Sequence, residues 1–261
     1  MAALNTPVRA GAACLLWPVV RETFARGEAA CRPRIARTGL SDAFVEPALA
    51  LLRGRGTAIR FRHRLRGLAF AGGRVQRLDF GAHTVALRDG DSVVLALPPA
   101  AAARMVPGLT VPEGSHAIVN AHFRLSAPAP LPAELPLLGL VGGTAQWLFV
   151  RGEIASVTVS AADALADEAS EAIALKTWRD VARALALDCD ALPPYSVVKE
   201  KRATFAQTPA QARRRPRTRT DFANLYLAGD WIDTGVPATI EGAARSGHMA
   251  AGAIAAARAR G

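Results

Sequence analysis

The stretch that most constrains this chain lies near its end, Thr220 to His248, where TDFANLYLAGDWIDTGVPATIEGAARSGH carries an apolar strand pattern into Gly-Asp and then into a helix start. Leu225-Tyr226-Leu227-Ala228 reads as a buried strand that stops on the carboxylate of Asp230. In a doubly wound α/β sheet, ligands sit just beyond the carboxyl ends of strands, so Asp230 is expected where a cofactor would lie. Pro237, with its fixed φ, is expected in the first turn of a helix running to about Arg258, with Glu241 in that turn. Gly242, Ala243, Ala244, Gly247, Ala250 and Ala251 let this helix approach a sheet or a ligand closely. Its N-terminal amides offer the positive end of the helix dipole to an anion or an electron-rich carbonyl. The same pattern also describes an ordinary strand-loop-helix unit in which Glu241 merely complements the dipole.

The segment resembles the C-terminal flavin motif of the large flavoprotein family that includes amine oxidases and phytoene desaturases. That resemblance implies that Gly229 and Asp230, followed by Trp231, meet the ribityl and pyrophosphate region of FAD. It also implies that the amides around Ala238, Thr239 and Ile240, just after Pro237, face the pyrimidine edge of the flavin. A reduced flavin gains negative charge near N1 and O2, which a helix N-terminus stabilises. A narrower resemblance covers nearly the whole chain. AALNTP, LALPPAAAARMVPGL, IVNAHFRL, LVGGTAQWLF, VTVSAAD, VVKEKRATF and LAGDWIDTGVPATIEGAARSG, in this order, are similar to the squalene-associated FAD-dependent enzymes of bacterial hopanoid synthesis, the hydroxysqualene dehydroxylases. GGTAQW together with GDW…PATIEG is far more specific than the general flavin motif.

This narrower resemblance implies an FAD-dependent oxidoreductase that removes the allylic hydroxyl of hydroxysqualene and gives squalene. The expected course is loss of water to an allylic cation, then hydride delivery from the reduced flavin. Such a site needs a proton donor to the leaving hydroxyl and an apolar, water-poor tunnel for a long isoprenoid. The sequence identifies no donor. The resemblance also implies that the backbone at Leu65 lies near the adenine. Other flavin oxidoreductases of the same fold, of the carotenoid desaturase or amine oxidase type, share the Gly-Asp-helix motif and remain the alternative.

A flavoprotein of this kind also carries a strand, a Gly-x-Gly-x-x-Gly turn and a helix that cradle the FAD diphosphate. No such triplet occurs here. Gly54-Arg55-Gly56-Thr57-Ala58-Ile59 lacks the third glycine and reads as a helix C-cap and turn. The expectation is therefore a C-terminal portion of a longer enzyme, with the N-terminal FAD-binding half missing or supplied separately. A fragment that is inactive or partner-dependent, and does not hold FAD alone, is the non-enzyme alternative.

With 261 residues and 51% hydrophobic content the chain can bury a sizeable core. Its net charge of +10 comes almost wholly from arginine, because only Lys176, Lys199 and Lys201 are lysines among the 32 basic residues. Ile59-Arg60-Phe61-Arg62-His63-Arg64-Leu65-Arg66 alternates strictly and reads as a half-buried strand with four arginines on one face, solvated or turned toward anionic lipid or a cofactor phosphate. Arg213-Arg214-Arg215-Pro216-Arg217-Thr218-Arg219 reads as a surface loop. It lacks the interleaved aromatics that nucleic-acid binding would want, so no nucleic-acid partner is expected. Cys14, Cys31 and Cys189 are odd in number and without metal-ligand spacing, which points to buried thiols in a reducing, cytoplasmic compartment. Peripheral contact with an anionic inner membrane face is expected from the basic segments and the lipid-like substrate. The apolar run Ala10 to Val20 is interrupted by Pro18 and followed by Arg21, Glu22, Arg26 and Glu28, so it reads as an amphipathic or buried helix.

The fold expectation is mixed α/β (α+β): an incomplete, Rossmann-like FAD-binding domain joined to a substrate domain built on a mixed, largely antiparallel sheet plus helices. Residues 1–56 are read as the helical part of the substrate domain and 57–108 as a β-meander of the FAD-binding domain. Residues 109–205 are the substrate domain, and 206–261 the C-terminal FAD-binding strand-loop-helix. Helices are expected at 8–26, 43–53 and 163–187, the last capped by Asp163. Meander strands are expected at 57–62, 64–70, 74–80, 83–88 and 91–97, and substrate-domain strands at 118–125, 146–150 and 154–160. His63, His83, His116, His122 and His248 are scattered and read as structural. Gly142, Gly143, Gln146 and Trp147 offer close backbone approach, a hydrogen-bonding amide and a flat apolar wall to a substrate, or else form a tight hairpin turn.

Overall fold

The computed structural model describes residues 3–36, 38–131, 135 and 137–259, so Ala2 of the AALNTP motif lies outside the described residues. The fold is mixed α/β, as the alternating blocks of helical and strand text require. The N-terminal part is helical: α1 (Ala13–Glu22), a 3-10 turn at Phe24–Arg26, α2 (Glu28–Cys31), a π turn at Ser41–Val45 and α3 (Glu46–Gly54). The helix expected at 8–26 is thus shorter and broken by Thr23, whose hydroxyl bonds back to the Val19 carbonyl at 2.7 Å. A Thr or Ser that turns on its own backbone in this way competes with helix continuation.

Three strands form an antiparallel meander, β1 (Gly67–Ala71), β2 (Arg74–Asp79) and β3 (Thr84–Ala86). Gly72 and Gly73, at φ 57° and 67°, make the two-residue turn between β1 and β2 that only positive φ permits without strain. The expected five-strand meander is corrected at both ends. Residues 57–62 are irregular, with Arg62 at φ 56° breaking the extended run, and the strand expected from 64 begins at Gly67. The fifth expected strand leaves the meander altogether: β4 (Val93–Leu95) pairs in parallel with β10 (Leu225–Leu227). α4 (Pro99–Met105) follows β4.

A third, five-stranded sheet runs β6 (Leu138–Gly139), β7 (Trp147–Arg151), β8 (Ile154–Ser160), β5 (Ser115–Arg124), β9 (Tyr195–Phe205), with all neighbours antiparallel. Along β5, Ala117, Val119, Ala121 and Phe123 are buried while Ile118, Asn120 and His122 between them are half-buried, the period-two pattern of a sheet with one covered face. The covering helix is α6 (Ser170–Leu185), whose Trp178 packs on Phe123 with ring centroids 5.2 Å apart. The single helix expected at 163–187 is two, α5 (Asp163–Ala166) and α6. Asp163 is no cap: its carboxylate accepts from Ala117 N at 2.8 Å and meets the His116 ring at 2.6 Å, fastening α5 to β5. β9 was not among the expected strands because its Lys199-Glu200-Lys201-Arg202 interior shows no apolar alternation. A short α7 (Pro209–Ala212) and the long α8 (Ile240–Arg258) complete the chain.

One core gathers Val75, Val93, Leu95, Phe205, Leu225, Leu227, Trp231 and Ile232, and another lies between the five-stranded sheet and α6. Asn224 joins the meander to the parallel pair. Its side chain accepts from Val75 N and donates to Val75 O, both at 2.9 Å, while its own carbonyl accepts from Val93 N at 2.8 Å. One buried carboxamide therefore does the work of a strand residue. Asn224→Ala should leave both Val75 backbone groups unsatisfied and lower the unfolding free energy by about 2–4 kcal/mol, read from urea melts. A loss indistinguishable from zero would contradict this role.

Candidate functional site

β10 ends where its parallel partner β4 ends, and Gly229 takes φ 145°, a conformation open to glycine. A Cβ there would sit 2.6 Å from Trp231 Nε1, so the strand end and the tryptophan ring also exclude a side chain sterically. Trp231 is buried, and its ring N–H donates to the Leu97 carbonyl at 2.9 Å, just past β4. Gly229 N donates at 2.8 Å to Ser246 Oγ on the buried stripe Gly242, Ser246, Ala250 of α8. Small residues on that stripe are needed: a Cβ at Gly242 would lie 2.6 Å from the Pro237 carbonyl oxygen. Sheet end, loop and helix are locked together around Asp230.

The loop between β10 and α8 closes on Arg215. Its guanidinium donates to the carbonyls of Val236 at 2.8 Å, Asp230 at 3.1 Å and Ile232, and it stacks over the Phe205 ring at 5.7 Å. Asp233 N returns a bond to Pro216 O at 2.9 Å. The surface loop expected at 213–219 is corrected here, because Arg215 and Thr218 are buried. Nothing in a run of five arginines marks which one turns inward. Among the described residues no carboxylate lies within salt-bridge distance of Arg215, and its Nε has no partner. Burial lowers its pKa, and the charges of Asp233 and Asp230 oppose that shift.

Asp230 is half-buried, and burial raises its pKa above the ordinary carboxylate value. The Arg215 charge and bonds from the Asp230 and Trp231 backbone N–H groups pull it back down. α8 begins two to three residues later than the sequence implies. Thr239 is the N-cap, its Oγ1 accepting from Gly242 N at 3.1 Å, and Pro237 is buried in the preceding loop. Ala238 N is already bonded to Gln207 Oε1 at 2.8 Å, so it is not a free donor. The first two helical amides, Ile240 and Glu241, have no carbonyl one turn back to bond, and both residues are exposed. Of the amides the motif pointed to, Ile240 is therefore free and Ala238 is not, and Glu241 joins Ile240 as a free donor. Glu241 and Glu22 hold Arg245 between them, which ties α1 to α8.

Elsewhere the GGTAQW segment divides. Asp180 of α6 accepts from Thr144 N at 2.7 Å and Ala145 N at 2.9 Å, and a Cβ on Gly143 would lie 2.5 Å from its Oδ1. Gln146 bonds both backbone groups of Ser160 at 3.1 Å, so its amide is engaged within the protein. Gly142, at φ 82°, is a turn residue with open space around it. Trp147 is the member that stays half-buried on the uncovered sheet face, in register with Thr158 and Asn120 and beside Phe149, Ser156 and His122 one row along. Leu65 packs against the core beneath the meander. His122 Nδ1 lies 2.8 Å from Ser156 Oγ. Cys14 and Cys189 are exposed, against the buried thiols expected. Among the described residues no group of three or more His, Cys, Asp or Glu could hold a metal ion.

Because the folded pKa of Asp230 lies above its unfolded value, its ionised form costs stability at pH above both values, and that cost disappears as pH falls through the folded pKa. Asp230→Asn should therefore melt higher than the parent at pH 7, with the gap narrowing toward pH 4. A lower melting temperature for Asp230→Asn at pH 7 would contradict this electrostatic account.

The chain matches the family model described as flavin containing amine oxidoreductase over residues 1–255. It is 49% identical over 258 residues to a hydroxysqualene dehydroxylase from Rhodopseudomonas palustris, covering 98% of this chain and 61% of that protein. It is 47% identical over 251 residues to a hydroxysqualene dehydroxylase from Sinorhizobium fredii, covering 96% of this chain and 59% of that one. The chain thus spans about three fifths of the length of the curated relatives it matches. Among solved structures, cyclohexylamine oxidase from Brevibacterium oxydans superposes with a TM-score of 0.56 at 16% identity, over 84% of this chain and 52% of that one, which speaks to fold alone. By its family match across nearly all its length, the chain belongs to the flavin containing amine oxidoreductases.

Proposed function

We propose that this chain supplies the flavin-end contacts and a substrate wall of an FAD-dependent oxidoreductase that converts hydroxysqualene to squalene by reductive removal of its hydroxyl. The observation that carries the reading is the near-full-length likeness to hydroxysqualene dehydroxylases, at 49% identity over 98% of the chain.

The residues present fit a flavin. Ile240 and Glu241 leave two amides free at the N-terminus of α8, Asp230 keeps acceptor capacity at the end of the strand that precedes this helix, and Gly229 and Gly242 occupy positions where a side chain has no room. Asp230 would accept from the ribityl hydroxyls, with Gly229 and Trp231 shaping the approach. The free amides of Ile240 and Glu241, rather than that of Ala238, would favour negative charge on the cofactor. Bound FAD supplies hydride transfer. The diphosphate would be held by a glycine-rich strand-turn-helix that this sequence does not contain.

The uncovered face of the five-stranded sheet suits an isoprenoid. Trp147, Phe149, Ile118 and Val198 present apolar surface, and the polar side chains between them bond one another, His122 Nδ1 with Ser156 Oγ and Thr158 Oγ1 with Asn120 Oδ1 at 2.7 Å. Paired polar groups exact little desolvation cost when a hydrocarbon covers them. The helical N-terminal part offers a second surface. Twelve arginines against four acidic residues occur in residues 1–66, and Trp17, Phe24, Phe44 and Phe61 are exposed there. This combination favours peripheral contact with an anionic membrane on its cytoplasmic side, where such a substrate would reside.

The test is turnover of hydroxysqualene carried in vesicles, with the purified chain, FAD and a chemical reductant, followed by chromatography of the products. Squalene should form, faster on anionic than on neutral vesicles. No squalene, together with oxidation of an amine or desaturation of a carotenoid by the same preparation, would replace this function with another of the same fold.

A further inference from the structure

Gln207 is fully buried, yet it belongs to none of the sequence motifs and lies between β9 and α7. Four bonds converge on it from two distant parts of the chain. Its Nε2 donates to the Leu4 carbonyl at 2.6 Å, its backbone N–H donates to Thr6 Oγ1 at 3.0 Å, and its carbonyl accepts from Ala12 N at 2.9 Å. Its Oε1 accepts from Ala238 N at 2.8 Å, one residue before the N-cap of α8. The Leu4–Thr6 segment is itself fastened to the five-stranded sheet. Asn5, buried at φ 44°, donates from Nδ2 to the His116 carbonyl at 3.1 Å and to Thr204 Oγ1 at 3.0 Å, and accepts at 2.6 Å from Ala161 N, a second residue with positive φ at 50°. Two non-glycine residues in left-handed conformation, bonded to each other, mark a junction whose geometry is enforced from outside.

We infer that Gln207 is a positioning residue for α8: its buried carboxamide ties Ala238 to the Leu4–Thr6 segment and, through Asn5, to the substrate sheet, and so fixes the direction in which the free amides of Ile240 and Glu241 point. A carboxamide suits this task because it donates on one side and accepts on the other without charge. Shifting the peptide before an N-cap re-aims the whole first turn, and preorganised donors lose their effect when displaced. The consequence for the cofactor rests on the function proposed above. The positioning itself rests on geometry alone.

The experiment is site-resolved amide exchange by NMR on the full chain and on Gln207→Met and Gln207→Glu, with FAD binding measured in parallel. In the unaltered protein Ala238 N–H should exchange slowly while Ile240 and Glu241 exchange fast. Gln207→Met should speed exchange about tenfold at the bonded amides Ala238, Gly242 and Ala243 and leave β5 and β8 amides unchanged. Gln207→Glu separates positioning from space-filling: protonated, it can donate to Leu4 O and accept from Ala238 N, whereas ionised it can only accept. Gln207's own partners do not titrate, and Arg215 is the cation bonded to the same loop at Val236. Its protection pattern, relative to the unaltered protein, should therefore approach the parent's as pH falls. Ala238 exchanging as fast as Ile240 in the unaltered protein overturns the inference even if both variants fail to fold, and so does a Gln207→Met protein with an unchanged first turn. If the unaltered protein holds no FAD, the functional reading fails while the exchange data still decide the positioning.

Discussion

A buried guanidinium, with no carboxylate in salt-bridge distance among the described residues, holds the loop between β10 and α8 in shape. Arg215 closes the segment from Asp230 to Val236 by bonding its carbonyl oxygens, and those dipoles stand in for a directly bonded carboxylate. Desolvating an arginine is costly, so the arrangement persists only because several acceptors and the Phe205 ring face converge on it. The return is geometric. With both ends of the loop fixed, Gly229 can approach Ser246 and Asp230 is held at the strand end. The same cation keeps the Asp230 carboxyl from rising further toward neutrality.

Carboxamides recur as the connectors between parts. Asn224 bonds both backbone groups of Val75, Gln146 both of Ser160, and Gln207 spans Leu4 and Ala238. Each supplies one donor and one acceptor, which is what a strand residue offers its neighbour, without the charge that burial would penalise. The strands of the parallel pair are short, β4 and β10 having only three residues each, and there the Asn224 side chain completes pairings that longer strands would make with backbone alone.

Much of this was legible from the residues. The apolar run at 225–228, the Gly-Asp that ends it and the small-residue helix after it foretold the strand-loop-helix unit on which the proposed site is built, because strand termination and helix approach depend on local chemistry. The parallel pairing of that strand agrees with the α/β reading. What stayed hidden depends on contacts between distant parts. β9 carries Lys199, Glu200 and Lys201 and shows no alternation, and it is a strand only because β5 lies beside it. Arg215 is one arginine among five until Phe205 and the loop carbonyls surround it. Asp163 looks like a helix cap, but a strand amide and a histidine ring compete for it and win. Gln146 reads as a free amide for a ligand until its two bonds to Ser160 are seen.

The central claim is that the Arg215-held loop and the first turn of α8 form the flavin end of the site. The most direct measurement is an equilibrium titration of the chain with FAD, following flavin fluorescence, for the unaltered protein and for Asp230→Ala. The account predicts saturable binding that weakens about tenfold or more when the carboxylate is removed, without loss of the cooperative melt. Binding that is equally tight in both proteins would contradict it, since FAD would then be held without the residue on which this site is built.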